Sequence, residues 1–142
     1  MRIDVLRGKW LTTGPTVDLF EQALVEATGA KHATAVNSGT AALHAAYSAL
    51  GLGPEDEIIT TPLTFAATAN AARYLGATVR FADVDPDTGL LDPNGISPLI
   101  NERTKIIVPV DYTGQPANYD AIRRIVGDRP IAIVADAAHS LG

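Results

Sequence analysis

The sequence predicts an α/β fold, a mostly parallel sheet with helices on both faces. Three observations lead there. Short apolar runs recur along the chain, among them Glu57-Ile58-Ile59-Thr60, Ile106-Ile107-Val108-Pro109-Val110 and Ile131-Ala132-Ile133-Val134-Ala135. Stretches of helix-forming residues stand between them, which is the pattern of βαβ units. The runs are apolar nearly throughout, not alternating, as strands covered on both faces require.

Each element can be justified in order. After Thr12-Thr13-Gly14-Pro15, the apolar residues Val17, Phe20 and Leu24 recur at helical spacing, and Gly29 supplies a stop. Ala33-Thr34-Ala35-Val36 is short and apolar and reads as a first strand. The run from Ala41 to Tyr47 is rich in helix formers and stops at Gly51. The turn Gly53-Pro54-Glu55-Asp56 leads into a second strand at residues 57–60. A helix from about Phe65 to Leu75 ends at Gly76, and Thr78-Val79-Arg80-Phe81-Ala82 is a third strand. A loop rich in Pro, Gly and Asp covers residues 83–92. A short helix near Ile96 to Ile100 precedes a fourth strand at residues 106–110. Tyr119 to Val126 is helical, Gly127-Asp128-Arg129-Pro130 is a turn, and residues 131–135 form a fifth strand.

Only Asp136 to Gly142 follows that last strand, too few residues to cover its face with a helix. Residues 1–142 are therefore expected to be the N-terminal portion of a larger domain. No internal repeat, linker or low-complexity tract interrupts them. The 142 residues are 46% hydrophobic and 19% charged, a globular balance. Eleven Lys and Arg stand against 16 Asp and Glu, a net charge of −5 with no basic block, which argues against nucleic acid as a partner. There is no cysteine, which excludes a disulfide framework and a thiol nucleophile. No apolar stretch is long enough to span a membrane, and Met1 to Lys9 lacks the apolar core of a signal peptide. A soluble, cytoplasmic protein is expected.

In parallel sheets ligands sit at the carboxyl ends of the strands. The residues just after Val36, Thr60, Ala82, Val110 and Ala135 are therefore the places to look. Asn37-Ser38-Gly39-Thr40 lies between a strand and a helix, so Gly39, Thr40 and Ala41 present backbone N–H groups at a helix N-terminus, a site suited to phosphate. Taken alone, an ordinary N-cap is the simpler account. No Walker lysine is present, so this is not a P-loop. Asp136, in Asp136-Ala137-Ala138-His139-Ser140, could hold a cationic ring nitrogen with His139 facing the same ligand, or could simply cap a turn. Phe65, past the end of the second strand, could stack on a planar ring; periodicity alone favours a core residue of the next helix.

Other chemistries fail on spacing. Asp83-Val84-Asp85-Pro86-Asp87-Thr88-Gly89 has Thr88 and Asn94 where an EF-hand needs Gly and Glu. Ser140 and His139 are adjacent and no nucleophile elbow surrounds the serine. His32 and His44 lack metal-ligand company, so no metal is expected.

Taken in order, these joints resemble one family. Leu11-Thr12-Thr13-Gly14-Pro15, Phe20-Glu21, the segment Ala35 to His44 and the segment Thr61 to Asn70 are similar to the sugar aminotransferases of the DegT/DnrJ/EryC1/StrS family. Asp83-Val84-Asp85, the segment Pro109 to Pro116 and Asp136-Ala137-Ala138-His139-Ser140 continue the match. The resemblance implies the incomplete large domain of a fold-type-I enzyme that uses pyridoxal phosphate (PLP). Such enzymes move an amino group from an amino acid such as glutamate to a keto-sugar carried on a nucleotide, and act as homodimers. It further implies that Gly39, Thr40 and Ala41 form the phosphate turn, that Phe65 stacks on the pyridine ring, that Asp136 pairs with its nitrogen and that His139 lies near its hydroxyl. The family's Schiff-base lysine is expected beyond His139, and the lysines present are Lys9, Lys31 and Lys105. This chain alone is therefore expected to be inactive. The alternatives are a non-catalytic remnant that binds a phosphorylated ligand or a partner, and an unrelated doubly wound domain.

Overall fold

A computed structural model describes residues 2–141. They divide into two compact units, residues 2–37 and residues 38–141.

The first unit holds helices α1 (Arg2–Arg7) and α2 (Pro15–Thr28). Pro15 opens α2, and Gly29, at φ 70°, closes it in the left-handed conformation that glycine adopts without penalty. The apolar residues of α2 are not buried, and Phe20 is half exposed. Residues 33–36 were expected to form a strand. They pair with no strand among the described residues; the Ala35 N–H donates instead to Glu21 Oε1 at 2.7 Å. An apolar run becomes a strand only where a neighbouring backbone completes its hydrogen bonds.

The second unit carries α3 (Gly39–Ala49), β1 (Glu57–Thr60), α4 (Ala67–Tyr74), β2 (Thr78–Phe81), α5 (Pro93–Ile96), β3 (Thr104–Val108), α6 (Tyr119–Val126) and β4 (Ala132–Ile133), with single 3₁₀ turns at Ser97–Leu99 and Tyr112–Gly114. Four strands, not the five expected, form one parallel sheet in the order β2-β1-β3-β4. Side chains alternate across each strand, so the sheet has two buried faces. On one face Ile58, Ile106 and Val108 pack against Leu43 and Tyr47 of α3 and Ala67, Ala71 and Ala72 of α4. On the other, Ile59 and Ile107 pack against Ile96 of α5 and Ile122 and Val126 of α6. The helices thus lie on both faces, as the sequence predicts. Each of these fully buried isoleucines contributes roughly 1.5–3 kcal/mol by leaving water. The alanines of α4 let that helix approach the sheet closely.

The amino edge of the sheet is tied down by charge. Glu57, the first residue of β1, is buried and accepts from Asn101 Nδ2 at 2.8 Å and from the Arg103 guanidinium, with Arg80 Nη1 3.6 Å away. The Asn101 hydrogen bond and the two arginines hold its carboxyl below the usual carboxylate range, against the opposing effect of burial. Lys105, the second residue of β3, donates to Gly51 C=O at 2.7 Å and to Asp56 Oδ2 at 3.0 Å. Gly51 follows the C-terminal end of α3, so that end lies at the amino edge. The N-terminus of α3 therefore points to the carboxyl edge, where β1, β3 and β4 also end.

Candidate functional site

The carboxyl edge is built by three loops. After β1 the chain runs through Thr61-Pro62-Leu63-Thr64-Phe65 into α4. After β3 it passes Val110 and Asp111 into the turn at residues 112–114. After β4 it reaches Asp136 and the turn to Ser140. The last two loops are stitched together: Val110 bridges Asp136 in parallel, the Asp136 N–H donates to Pro109 C=O at 2.9 Å, and the Asp111 N–H donates to Asp136 C=O at 3.0 Å. The expected strands 106–110 and 131–135 thus end earlier as regular ladder but extend as single bridges to the site.

A small recess of about 70 Å³ opens there. Phe65, Asp136 and His139 line it, together with Asp111 and Tyr112. Three of the residues singled out in the sequence are brought together. Phe65 is 78% exposed, so it is not a core residue of α4; its ring faces solvent at the mouth of the recess. His139 is also exposed, and its carbonyl lies 3.1 Å from where a Cβ on Gly114 would sit; with Gly114 at φ 89°, close approach and backbone both favour glycine there.

Asp136 is partly buried and its Oδ2 accepts from Thr68 Oγ1 at 2.6 Å. Asp136 Oδ1 takes no hydrogen bond within the 38–141 unit. Thr68 is fully buried in the first turn of α4, and its carbonyl accepts from the Tyr47 hydroxyl at 3.1 Å. Burial, and secondarily the Asp136 charge, raise the Tyr47 phenol well above its ordinary value. Asp111 is a second carboxylate beside the first and is itself buried. Its Oδ1 accepts from the Ala117 N–H at 2.9 Å and the Tyr119 hydroxyl at 2.6 Å, and its Oδ2 from the Ser140 hydroxyl at 2.6 Å. Burial first, then the hydrogen bond to Asp111 and the charges of Asp111 and Asp136, raise the Tyr119 phenol. Both tyrosines remain donors at neutral pH.

Gly39, Thr40 and Ala41 do not line the recess; they form the N-terminus of α3 at the same edge. Ser38 caps that helix, its Oγ accepting from the Ala41 N–H at 3.2 Å. The Ala41 N–H is taken by this cap, while the N–H groups of Gly39 and Thr40 and the Thr40 hydroxyl have no partner within the 38–141 unit. Free N–H donors at the positive end of a helix suit an anion. A carboxylate with one free oxygen suits a protonated ring nitrogen, and an exposed phenyl ring suits a planar face. The residues present fit PLP. Among the described residues no cluster of His, Asp and Glu could hold a metal ion, and no helix is long and apolar enough to cross a membrane.

Sequence reasoning missed Thr68 and the role of Asp111. Asp111 carried a signal, since it directly follows an apolar run, the rule that picked out Asp136. Thr68 carried none, because its partner lies in another loop.

Comparison with known proteins shows the family and the fold. The model of the DegT/DnrJ/EryC1/StrS aminotransferase family matches residues 2–142. Spr1654 of Streptococcus pneumoniae, solved in PLP and PMP forms, is 32% identical; its PLP form superposes with a TM-score of 0.94 over 99% of this chain and 40% of its own. The synthase of 3-amino-5-hydroxybenzoic acid is 37% identical, with a TM-score of 0.93 over 98% of this chain and 37% of its own. A GDP-4-keto-6-deoxymannose-3-dehydratase, solved with PLP and glutamate trapped together, is 30% identical, with a TM-score of 0.84 over 91% of this chain and 35% of its own. This chain spans 35–40% of the length of these solved proteins. The fold is that of the fold-type-I PLP enzymes, and the chain belongs to the DegT/DnrJ/EryC1/StrS aminotransferase family.

Proposed function

We propose that this chain forms the cofactor-holding part of a PLP-dependent aminotransferase that acts on a keto-sugar carried by a nucleotide. The observation that carries the reading is Asp136, held by Thr68 through one oxygen and open through the other, at the recess that Phe65 borders. The family is PLP-dependent, and a dehydratase that resembles this chain is named for a GDP-linked keto-sugar and was solved with glutamate. Glutamate as amino donor and a second copy of the chain as partner complete the proposal.

When bound, PLP supplies an electron sink for moving the amino group. The chain's own residues do the rest. Asp136 Oδ1 accepts the proton-bearing ring nitrogen and keeps that proton in place. Gly39 and Thr40 donate to the phosphate through their N–H groups, and the Thr40 hydroxyl adds a third donor. Phe65 covers one face of the ring and excludes water from it. His139, which lines the recess with Asp136, would donate to or accept from the ring hydroxyl. Lys105 takes no part, since it is engaged at the opposite edge of the sheet.

Absorbance titration of PLP into the chain tests the reading. Asp136→Ala is expected to weaken binding roughly tenfold or more, the loss of a hydrogen bond between charged groups. Equal affinity in wild type and variant would overturn it.

A further inference from the structure

We infer that Thr64 and Thr68 form a hydroxyl relay that positions Asp136 for the ring nitrogen, an inference that rests on the PLP reading above. Thr68 Oγ1 lies 2.6 Å from Asp136 Oδ2, 2.7 Å from Thr64 Oγ1 and 3.1 Å from Phe65 C=O. A hydroxyl has one proton to give and two lone pairs to accept with. Of the acceptors in reach, the carboxylate is both the strongest and the closest, so the Thr68 proton goes to Asp136. Thr64 must then be the donor to Thr68. The protons run one way, from Thr64 through Thr68 to the carboxylate, and each bond polarises the next.

A threonine in a helix usually bonds back to a carbonyl of its own preceding turn. Here Phe65 C=O is that acceptor, yet the shorter bond reaches across to another loop. The donor is held firmly. Thr68 is fully buried, and its carbonyl is pinned by the Tyr47 hydroxyl from α3. The backbone of Asp136 is held by Pro109 and Asp111, but that does not set the rotation of its carboxylate, whose bond within the 38–141 unit comes from Thr68. The bond to buried Thr68 therefore fixes which carboxylate oxygen is taken and leaves Oδ1 as the oxygen without a partner within the 38–141 unit. One free oxygen matches one ring N–H. The same turn of chain carries Phe65, so the stacking ring and the nitrogen partner are set by one network. Thr68 and Thr64 are positioning residues: they act through Asp136.

The test compares PLP with its 1-deaza analogue, in which a CH replaces the ring nitrogen, by absorbance titration into the chain. Wild type is expected to prefer PLP. Thr68→Val keeps the side-chain shape and loses the donor; it should weaken PLP binding roughly tenfold and leave the analogue within about twofold. Thr68→Ser should restore the preference, and Thr64→Val should lose part of it. Circular dichroism checks that each variant is folded, and if Thr68→Val unfolds, Thr68→Ala carries the same comparison. Equal losses for both ligands, no loss, or failure of serine to rescue would overturn the relay. A wild type that binds the two ligands equally would instead overturn the assignment of Asp136 to the ring nitrogen, and the relay with it.

Discussion

Ser140 donates its hydroxyl to Asp111 Oδ2 across 2.6 Å, while the Asp111 N–H donates to Asp136 C=O. One buried residue thereby grips both ends of the turn that carries Asp136 and His139. The same carboxylate accepts from Tyr119 on α6, so the turn is referred to a helix packed on the sheet. Asp111→Ala would leave two hydroxyls and the Ala117 N–H without their acceptor. A loss of about 2–4 kcal/mol is expected in urea unfolding, against about 1–2 kcal/mol for Ser140→Ala, which removes one donor only. Equal small losses would show that the turn holds without Asp111.

Glu57 gives a pH dependence. Its folded pKa lies below its unfolded value, chiefly through the Asn101 hydrogen bond and the Arg103 and Arg80 charges. Such a group contributes stability above the unfolded pKa and loses it as pH falls through the folded one. Melting temperature should therefore decline as pH drops below about 4.5. Glu57→Gln should lower stability at pH 7 by about 1–2 kcal/mol, less than for a fully buried pair because both arginines stay partly solvated. The variant's acid limb should also be flatter; a wild-type slope in the variant would assign the acid sensitivity to other carboxylates.

Ile122 and Ile107 fill the face of the sheet covered by α5 and α6, and both are fully buried. Ile122→Ala should cost about 2–5 kcal/mol and Ile107→Val about 0.5–1.5 kcal/mol in chemical denaturation. Comparable costs for the two would mean that α6 relaxes into the space left behind.

Phe65 separates binding from stability. Because it is 78% exposed, Phe65→Leu should change unfolding free energy by no more than about 0.5 kcal/mol. Its PLP affinity should fall by about 1 kcal/mol, the worth of a stacked ring pair. A variant that melts early and binds normally would return Phe65 to the role of a packing residue.

Much of this was legible from the chain. The strand at residues 57–60 and the helix at 119–126 fall where the apolar run and the turn from Gly127 to Pro130 place them, because a buried parallel strand and a helix stop are written locally. Ala33–Val36 misled, since an apolar run says nothing of whether a neighbour is there to pair with it. Residues 131–135 read as a full strand and supply a two-residue ladder followed by a bridge at Asp136, a boundary the apolar run does not mark. Gly39, Thr40, Phe65 and Asp136 were legible as strand-end and helix-start residues. The bond that joins Thr68 to Asp136 was not, because two loops far apart in the chain meet only in the folded sheet.

The strand order β2-β1-β3-β4 has a kinetic consequence. Every neighbouring pair is parallel, so each can form only after a crossover segment has been closed, and no hairpin can nucleate the sheet. The recess is lined from the loops that follow β1, β3 and β4, so it is complete only after β4, the last strand in the chain, has joined β3, among the last events of folding. In a refolding experiment, the cofactor's absorbance change should lag behind helix formation and coincide with the burial of the isoleucine core. Ligand binding would then serve as a clock for the completed sheet.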